Sequence, residues 1–279
     1  MKRANSISIA VPASMVSEIA HLREKTIVLG QVGRAAGIYR VDEIIIYRDD
    51  PDESLLMKYI LGYLETPQYL RKHLFDHREE LQFAGMLPPL RTPHHPNSSH
   101  IDTLKGGEYR DGVVMSTDEA GFMVDIGINT QLRIRGKAPS LGTRITTQIM
   151  EIEGMPRGRV VKKKTMDEYW GYSLRGSKGK LSDLVHSPEW DLTIATSKIG
   201  KDITEVSEEL QSKWLEAGKT LIVFGSYKRG VGEMMERQGR KMEEAFDHII
   251  NTVPSQGTAT VRTEEAIHAT LAIFNIFKD

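Results

Sequence analysis

The chain has 279 residues, enough for one large domain or two ordinary ones. Hydrophobic residues make up 39% and charged residues 27%, as in a typical soluble globular protein, and a net charge of −1 gives no overall attraction to a polyanion. With no cysteine, the chain has no disulfide, no thiolate metal site and no cysteine nucleophile. No apolar run approaches the roughly 20 residues that span a bilayer, and the first ten residues lack the apolar core of a signal peptide. A cytoplasmic protein is expected.

Ile7-Ser8-Ile9-Ala10-Val11 alternates and stops at Pro12, which predicts a short strand. Ser14 is placed to cap a helix over residues 15–36, with Gly37 as its stop. Glu43-Ile44-Ile45-Ile46-Tyr47 is a β-branched run, and strand, helix, strand is the grammar of a parallel α/β unit. Residues 55–64 and 67–83 carry helical spacing around a break at Thr66-Pro67. Residues 91–105 are Pro-rich and polar, and read as a linker. Residues 106–165 then show about five short strand-like runs (109–115, 121–126, 131–134, 144–152 and 159–161) separated by glycines, the pattern of a small barrel of the OB type.

Helix and strand alternation resumes after Trp170. Strands are expected over 192–196 and 220–224, and helices over 203–214, 233–244 and from the 251–258 loop to Phe277. Residues 1–90 and 166–279 thus form one α/β domain, interrupted by the linker and the β module.

In an open parallel sheet, ligands sit beyond the carboxyl ends of the strands. Three polar segments fall there: Thr196-Ser197-Lys198, Gly225-Ser226-Tyr227 and Asn251-Thr252-Val253-Pro254-Ser255-Gln256-Gly257-Thr258. Neither a Gly-x-Gly-x-x-Gly turn after the first strand nor a Walker loop is present, which favours a ligand held by loop backbone over one held by its phosphates. The inserted module carries the basic patch. Arg133, Arg135, Lys137, Arg144, Arg157, Arg159, Lys162, Lys163 and Lys164 face only Glu151 and Glu153 over residues 127–164, a local balance of 9 − 2 = +7. Tyr109 and Phe122 are the aromatics available there, so contacts to backbone and shape are expected above stacked-base reading. A solvated charged face is the alternative.

Leu221-Ile222-Val223-Phe224-Gly225-Ser226, with residues 251–258 and Val261-Arg262-Thr263-Glu264-Glu265-Ala266, resembles the SPOUT class of RNA methyltransferases. More narrowly, Asp49-Asp50, Thr66-Pro67-Gln68-Tyr69-Leu70-Arg71 and Gly85-Met86-Leu87-Pro88-Pro89-Leu90-Arg91-Thr92-Pro93-His94-His95-Pro96 look like segments of archaeal and eukaryotic RNA uridine-N3 methyltransferases. The resemblance covers nearly the whole chain, and is weakest over residues 230–246. It implies an α/β trefoil knot with a mainly parallel sheet, an inserted OB-like barrel, and a homodimer. It also implies S-adenosylmethionine bound by Thr196, Phe224, Gly225, Ser226, Asn251, Thr252, Val253, Gln256, Gly257 and Thr258. In that setting Gly225→Val is expected to fill the adenosine space while leaving the fold.

Arg34 is the catalytic candidate. Related enzymes place an arginine of this segment at the methyl donor and target base, often from the other subunit, and its fork suits an anion. Offsetting the helix dipole is its structural alternative. Arg262 is a candidate RNA contact at the start of the last helix, where Thr260 or Thr263 is expected to cap and Glu264 or Glu265 to fill the favourable first turn. His94 and His95 lack ligand spacing, so no metal is expected. Taken together, the sequence predicts an RNA methyltransferase acting on uridine N3 of ribosomal RNA, with no membrane partner. The alternatives are a non-catalytic RNA-binding assembly factor and a methyltransferase for another position, such as ribose 2′-O.

Overall fold

A computed structural model of the protein describes residues 3–177 and 179–277. In chain order the elements begin β1 (Ser6–Pro12), α1 (Leu22–Ile38), β2 (Glu43–Tyr47), α2 (Ser54–Glu65) and α3 (Arg71–Leu74). Five strands follow: β3 (Tyr109–Asp118), β4 (Gly121–Asp125), β5 (Leu132–Ile134), β6 (Arg144–Glu151) and β7 (Arg157–Val161). The chain continues with β8 (Ser173–Gly176), α4 (Leu181–Val185), β9 (Leu192–Asp202), α5 (Ile203–Glu216) and β10 (Lys219–Val223). It ends with α6 (Val231–Glu236), α7 (Met242–Ala245), β11 (His248–Asn251) and α8 (Thr263–Phe274). Two compact units result, one of residues 3–62, 80–88 and the chain from 171 onward, the other of residues 63–79 and 89–170.

The first unit is α/β. Its six strands lie in the order β11-β9-β10-β1-β2-β8, and every neighbouring pair is parallel. Parallel strands covered on both faces need continuous apolar runs. Ile44-Ile45-Ile46-Tyr47 and Leu221-Ile222-Val223 supply them, with each of these residues at most 2% exposed. α5 is amphipathic: Ile203, Val206, Leu210 and Trp214 are buried at helical spacing, and the Asp202 carboxylate caps the start by accepting from the Thr204 N–H at 2.9 Å. Such a cap contributes ~1 kcal/mol.

One pairing is irregular. On β11, Ile249 pairs with Ala195 of β9, yet the next residue, Ile250, pairs with Lys201. Residues 196–200 therefore leave the ladder and return to it. Gly200 marks the return, because a Cβ there would stand 2.6 Å from the backbone carbon of Ile250.

The second unit is built on a closed five-stranded barrel, β3-β4-β5-β7-β6, with β5 and β7 paired in parallel and the other pairs antiparallel. Phe122, Val124, Leu132, Ile134 and Ile149 fill it. This is the strand count expected from the glycine-separated runs, and it is the count of an OB module. Residues 91–105 are partly packed: His94 is fully buried, its Nε2 lies 2.9 Å from the Glu65 carbonyl, and His95 Nε2 reaches the same oxygen at 2.9 Å.

Several boundaries differ from the sequence pattern. α1 begins at Leu22 because residues 13–18 form turns, with Met15 N–H on Pro12 and Ser17 N–H on Ser14, each at 3.0 Å. Ser14 caps no helix; its hydroxyl donates to Asp49 instead. Gly37 lies inside α1, and Arg40 takes the left-handed position after it at φ 58°. The stretch 67–83 forms only α3 and single 3₁₀ turns. The expected helix over 233–244 is two pieces, divided at Gly239 with φ 71°. α8 ends at Phe274, and Phe277 folds back edge-on to it, ring centroids 5.2 Å apart.

Among the described residues, no helix is long and apolar enough to cross a membrane, and no group of three or more His, Asp and Glu is placed to hold a metal ion.

Candidate active site

In the α/β unit, three segments close a cavity of about 350 Å³ at the carboxyl ends of β10 and β11. Its walls are the β9 excursion, the Phe224–Tyr227 turn that follows β10, and the loop from β11 to α8, with α6 contributing Gly232 and Glu233. The volume sits at the small end of the ~300–1,000 Å³ typical of small-molecule sites. Eight of the ten residues expected to bind a cofactor line it: Thr196, Phe224, Gly225, Ser226, Asn251, Thr252, Val253 and Gln256. Gly257 and Thr258 do not line it; both are exposed on the outer side of the loop.

The turn after β10 is held from the ends of β1 and β2. The Phe224 N–H donates to Ala10 O at 2.9 Å, and the buried Tyr47 hydroxyl donates to Phe224 O at 2.6 Å. Burial, and then the charge of Asp49, push the Tyr47 phenol well above its usual range, so it remains a donor. Ser226 N–H closes the turn onto Arg229 O at 2.9 Å, and the Arg229 guanidinium reaches Asp49 at 2.9 Å and the Asp50 carbonyl. The Thr263 hydroxyl, at the start of α8, donates to Gly225 O at 2.8 Å.

Gly225 is needed by the turn itself. A Cβ there would stand 2.7 Å from Arg229 O and 3.0 Å from Gly230 Cα. The expectation that a larger side chain would project into the ligand space is therefore corrected: it would first collide with its own loop.

The other two walls are fastened to β10, to each other and to α8. Thr196 donates its hydroxyl to Val223 O at 3.0 Å, and Asn251 Nδ2 donates to Lys198 O at 3.1 Å. Lys198 Nζ reaches Ala259 O at 3.2 Å, and the buried Thr252 and Thr270 hydroxyls are 2.8 Å apart. Gln256 spends its side-chain amide on Thr258 O at 2.8 Å, within its own loop. Glu233 is the one carboxylate among the lining residues. The sequence reading missed it because it lies in the 230–246 stretch where the resemblance is weakest; its signal is a first-turn acid three residues after Gly230.

Arg34 sits on α1, half-buried, close enough to His268 of α8 to help lower that imidazole's pKa after burial, and it does not line this cavity. Arg262 is the N-cap residue of α8 and is exposed. The cap acceptor is neither Thr260 nor Thr263: Glu265 Oε2 takes the Arg262 N–H at 2.8 Å.

In the barrel unit, five of the basic residues meet. Arg133, Arg135, Lys137, Arg157 and Arg159 line a groove of about 420 Å³ together with one acid, Glu151. Arg133 pairs with Asp118 at 2.7 Å and Arg157 with Glu151 at 3.3 Å, while Arg135 and Lys137 form no ion pair among the described residues. Phe122 is only 1% exposed and offers no free face to a base, while Tyr109 is half-buried in a T-shaped contact with Trp170. Lys162, Lys163 and Lys164 lie outside the groove, exposed, with Lys163 3.5 Å from Glu65.

Arg144 stands apart from this group. Its guanidinium is committed to Glu65 at 2.6 Å and to Asp111 at 2.5 Å, and Asp111 also accepts from Trp170 Nε1 at 2.8 Å and from Thr146 at 2.7 Å. Burial would raise the Glu65 carboxyl, but His94, Arg144 and Lys163 hold it down at about 2. Breaking such a network leaves a buried charge, so Arg144 is structural here.

One chain thus carries a cavity beside a parallel sheet and a basic groove on its barrel. Comparison with known proteins supplies the class. Residues 6–274 match the family described as "Putative RNA methyltransferase". An uncharacterised protein of Halobacterium salinarum is 32% identical, over 95% of this chain and 96% of its own. A human protein named 28S rRNA (uridine-N(3))-methyltransferase is 30% identical, over 97% of this chain and 78% of its own. The Drosophila melanogaster protein of the same name is 30% identical over 96% of this chain, which spans 61% of that longer protein. The chain belongs to this RNA methyltransferase family, and the family's reaction requires a methyl donor and an RNA acceptor.

Proposed function

We propose that the chain transfers the methyl group of S-adenosylmethionine to uridine N3 in ribosomal RNA. The observation that carries the reading is the 350 Å³ cavity at the carboxyl ends of β10 and β11, in a chain of this family. The names of the human and fly relatives support the choice of atom and RNA.

The lining fits the donor chemically. Phe224 and Val253 offer apolar surface, the turn and loop offer backbone groups, and Glu233, paired with Arg237 at 2.8 Å, adds a carboxylate to the wall. When bound, S-adenosylmethionine supplies an electrophilic methyl group on a sulfonium. The chain's part is to hold the uracil edge in line and to stabilise the anion that N3 becomes. In this reading the α/β unit is knotted through the loops around the cavity, and the barrel groove takes the RNA backbone with Arg133, Arg135, Lys137, Arg157 and Arg159. The protein acts as a homodimer in the cytoplasm, and Arg34 works in the partner's site. That Arg34 lies off its own chain's cavity supports the last point.

Nucleoside mass spectrometry tests the reading. Ribosomal RNA from a strain lacking the gene should lose an N3-methyluridine that the wild-type gene restores and a Gly225→Ala gene does not. An unchanged nucleoside profile, or no binding of S-adenosylmethionine at millimolar concentration, would reject it.

A further inference from the structure

A second cavity, of about 250 Å³, lies against the first in the α/β unit and shares Tyr227 and Thr263 with it. Its remaining walls are Met15, Glu18, Ile19, Arg262 and Glu264. Thr263, one of the shared residues, donates its hydroxyl to Gly225 O at 2.8 Å, at the border of the two spaces. At this size the cavity takes a single base rather than a stretch of chain. Enzymes that act on one base draw it out of its stack into such a pocket.

The wall residues match a flipped pyrimidine. Tyr227 is 52% exposed at the shared wall, which leaves its ring available for stacking. Arg262 brings a fixed positive charge to the rim. Glu264 is the unusual member, because it is 7% exposed yet forms no ion pair among the described residues. Its carboxylate accepts from its own backbone N–H, and the N-cap is satisfied by its neighbour. The first-turn acid that satisfies the start of α8 is Glu265, through its bond to the Arg262 N–H at 2.8 Å, and Glu265 is exposed. The Glu264 carboxylate lines the cavity with no ion pair beside it among the described residues.

Resting on the reading of the chain as a uridine-N3 methyltransferase, we infer that this second cavity receives the flipped uracil and that Glu264 is the general base that removes its N3 proton. The N3–H bond breaks and its proton passes to Glu264. The freed N3 electron pair forms the bond to the methyl carbon. The carbon–sulfur bonding pair returns to sulfur, so a sulfonium and a carboxylate become a neutral thioether and a carboxylic acid. Burial raises the Glu264 carboxyl above the usual glutamate value, which narrows its mismatch with the weakly acidic imide. The other ionisable groups facing or flanking the pocket are Glu18, paired with Lys228 at 3.6 Å, together with Arg262, Glu265 and Tyr227.

The test is single-turnover methyl transfer to an unmodified large-subunit ribosomal RNA transcript across pH, with wild type, Glu264→Gln and Glu265→Gln. Removing a general base should slow Glu264→Gln about 100-fold or more at pH 7. Its rate should then climb about tenfold per pH unit as pre-ionised uridine takes over, and a 5-fluorouridine transcript, whose N3 is more acidic, should narrow the gap. Glu265→Gln should stay within about threefold of wild type, and Glu264→Gln should bind S-adenosylmethionine with unchanged affinity.

A second readout needs no turnover. In carboxyl-¹³C NMR of the cofactor-free protein, the resonance absent from Glu264→Gln should shift when a uridine oligonucleotide is added. A Glu264→Gln rate within about threefold of wild type, a deficit that is the same at every pH, or a resonance that does not move would overturn the inference. If the wild-type protein binds S-adenosylmethionine but methylates another atom, the uridine reading falls with it and the methyltransferase reading survives. If it binds none, the underlying reading has failed.

Discussion

Substituting Gly225 by alanine isolates the geometry of the turn that walls the 350 Å³ cavity. The added Cβ would meet Arg229 O at 2.7 Å and Gly230 Cα at 3.0 Å, whereas ordinary van der Waals contact begins at 3.4 Å. Both neighbours are backbone, so no side chain can swing away, and the turn must open by roughly 0.7 Å, the difference between those distances. Forcing a methyl group into packed surroundings costs about 1–3 kcal/mol. For a chain of this size that lowers Tm by roughly 2–10 °C. The opened turn also strains the Ser226 to Arg229 bond and the Thr263 to Gly225 bond, which shape the cavity wall. Affinity for S-adenosylmethionine should fall at least about tenfold, equivalent to ~1.4 kcal/mol. Gly257→Ala is the control, because nothing lies within 4 Å of a Cβ there. Titration calorimetry and thermal melts of both variants read the result. If Gly225→Ala keeps its affinity within about twofold and its Tm within a degree of wild type, the steric reasoning is wrong.

Tyr47→Phe removes the donor to Phe224 O and leaves a buried carbonyl unsatisfied, so chemical denaturation should show a loss of about 1–3 kcal/mol. In the barrel unit, burial, then the charge of His94, lower the His95 imidazole to about 4, and Glu65 is held at about 2. The His95 contribution is complete above its ordinary 6.5 and is lost as pH falls towards 4; that of Glu65 is complete above 4.5 and is lost towards 2. Urea unfolding should therefore weaken in two steps below pH 6.5, each at most about 3 kcal/mol, and His95→Gln should flatten the first. Neutralising Arg135, Lys137 and Arg159 together should weaken RNA binding and reduce the salt slope by about 2 if each touches a phosphate of a single strand. An unchanged slope in a salt titration would mark the groove as a solvated face.

The sequence carried the parts of this fold that depend on local pattern. Apolar runs such as Ile44-Ile45-Ile46 specify buried strands wherever they occur, and the spaced glycines of residues 106–165 announce a small barrel. Residues 13–18 read as the start of a helix because their side chains suit one, yet tertiary burial of Ala13, Met15 and Val16 turned them into a tight coil. Arg144 counted as one more positive charge until Glu65, 79 residues earlier, proved to be its partner. Of the two acids in the first turn of α8, pattern alone could not tell which one caps; the structure gives that work to Glu265 and buries Glu264. Glu233 was missed for a similar reason, since the cavity reaches it through space rather than along a motif.

The β9 excursion separates two jobs that most strands perform with the same residues. Ala195 and Lys201 are pinned to consecutive positions of β11, so the sheet register is fixed before residue 196 and recovered after residue 200. Residues 196–199 can then vary in chemistry without sliding the strand; Ile199, 85% exposed, already contributes nothing to the core. Gly200 is denied that freedom by the Ile250 backbone against it, and Thr196 and Lys198 are tied by their side chains to Val223 O and Ala259 O. The chemistry of this cavity wall can thus change at its untied positions while the register of the sheet stays where it was.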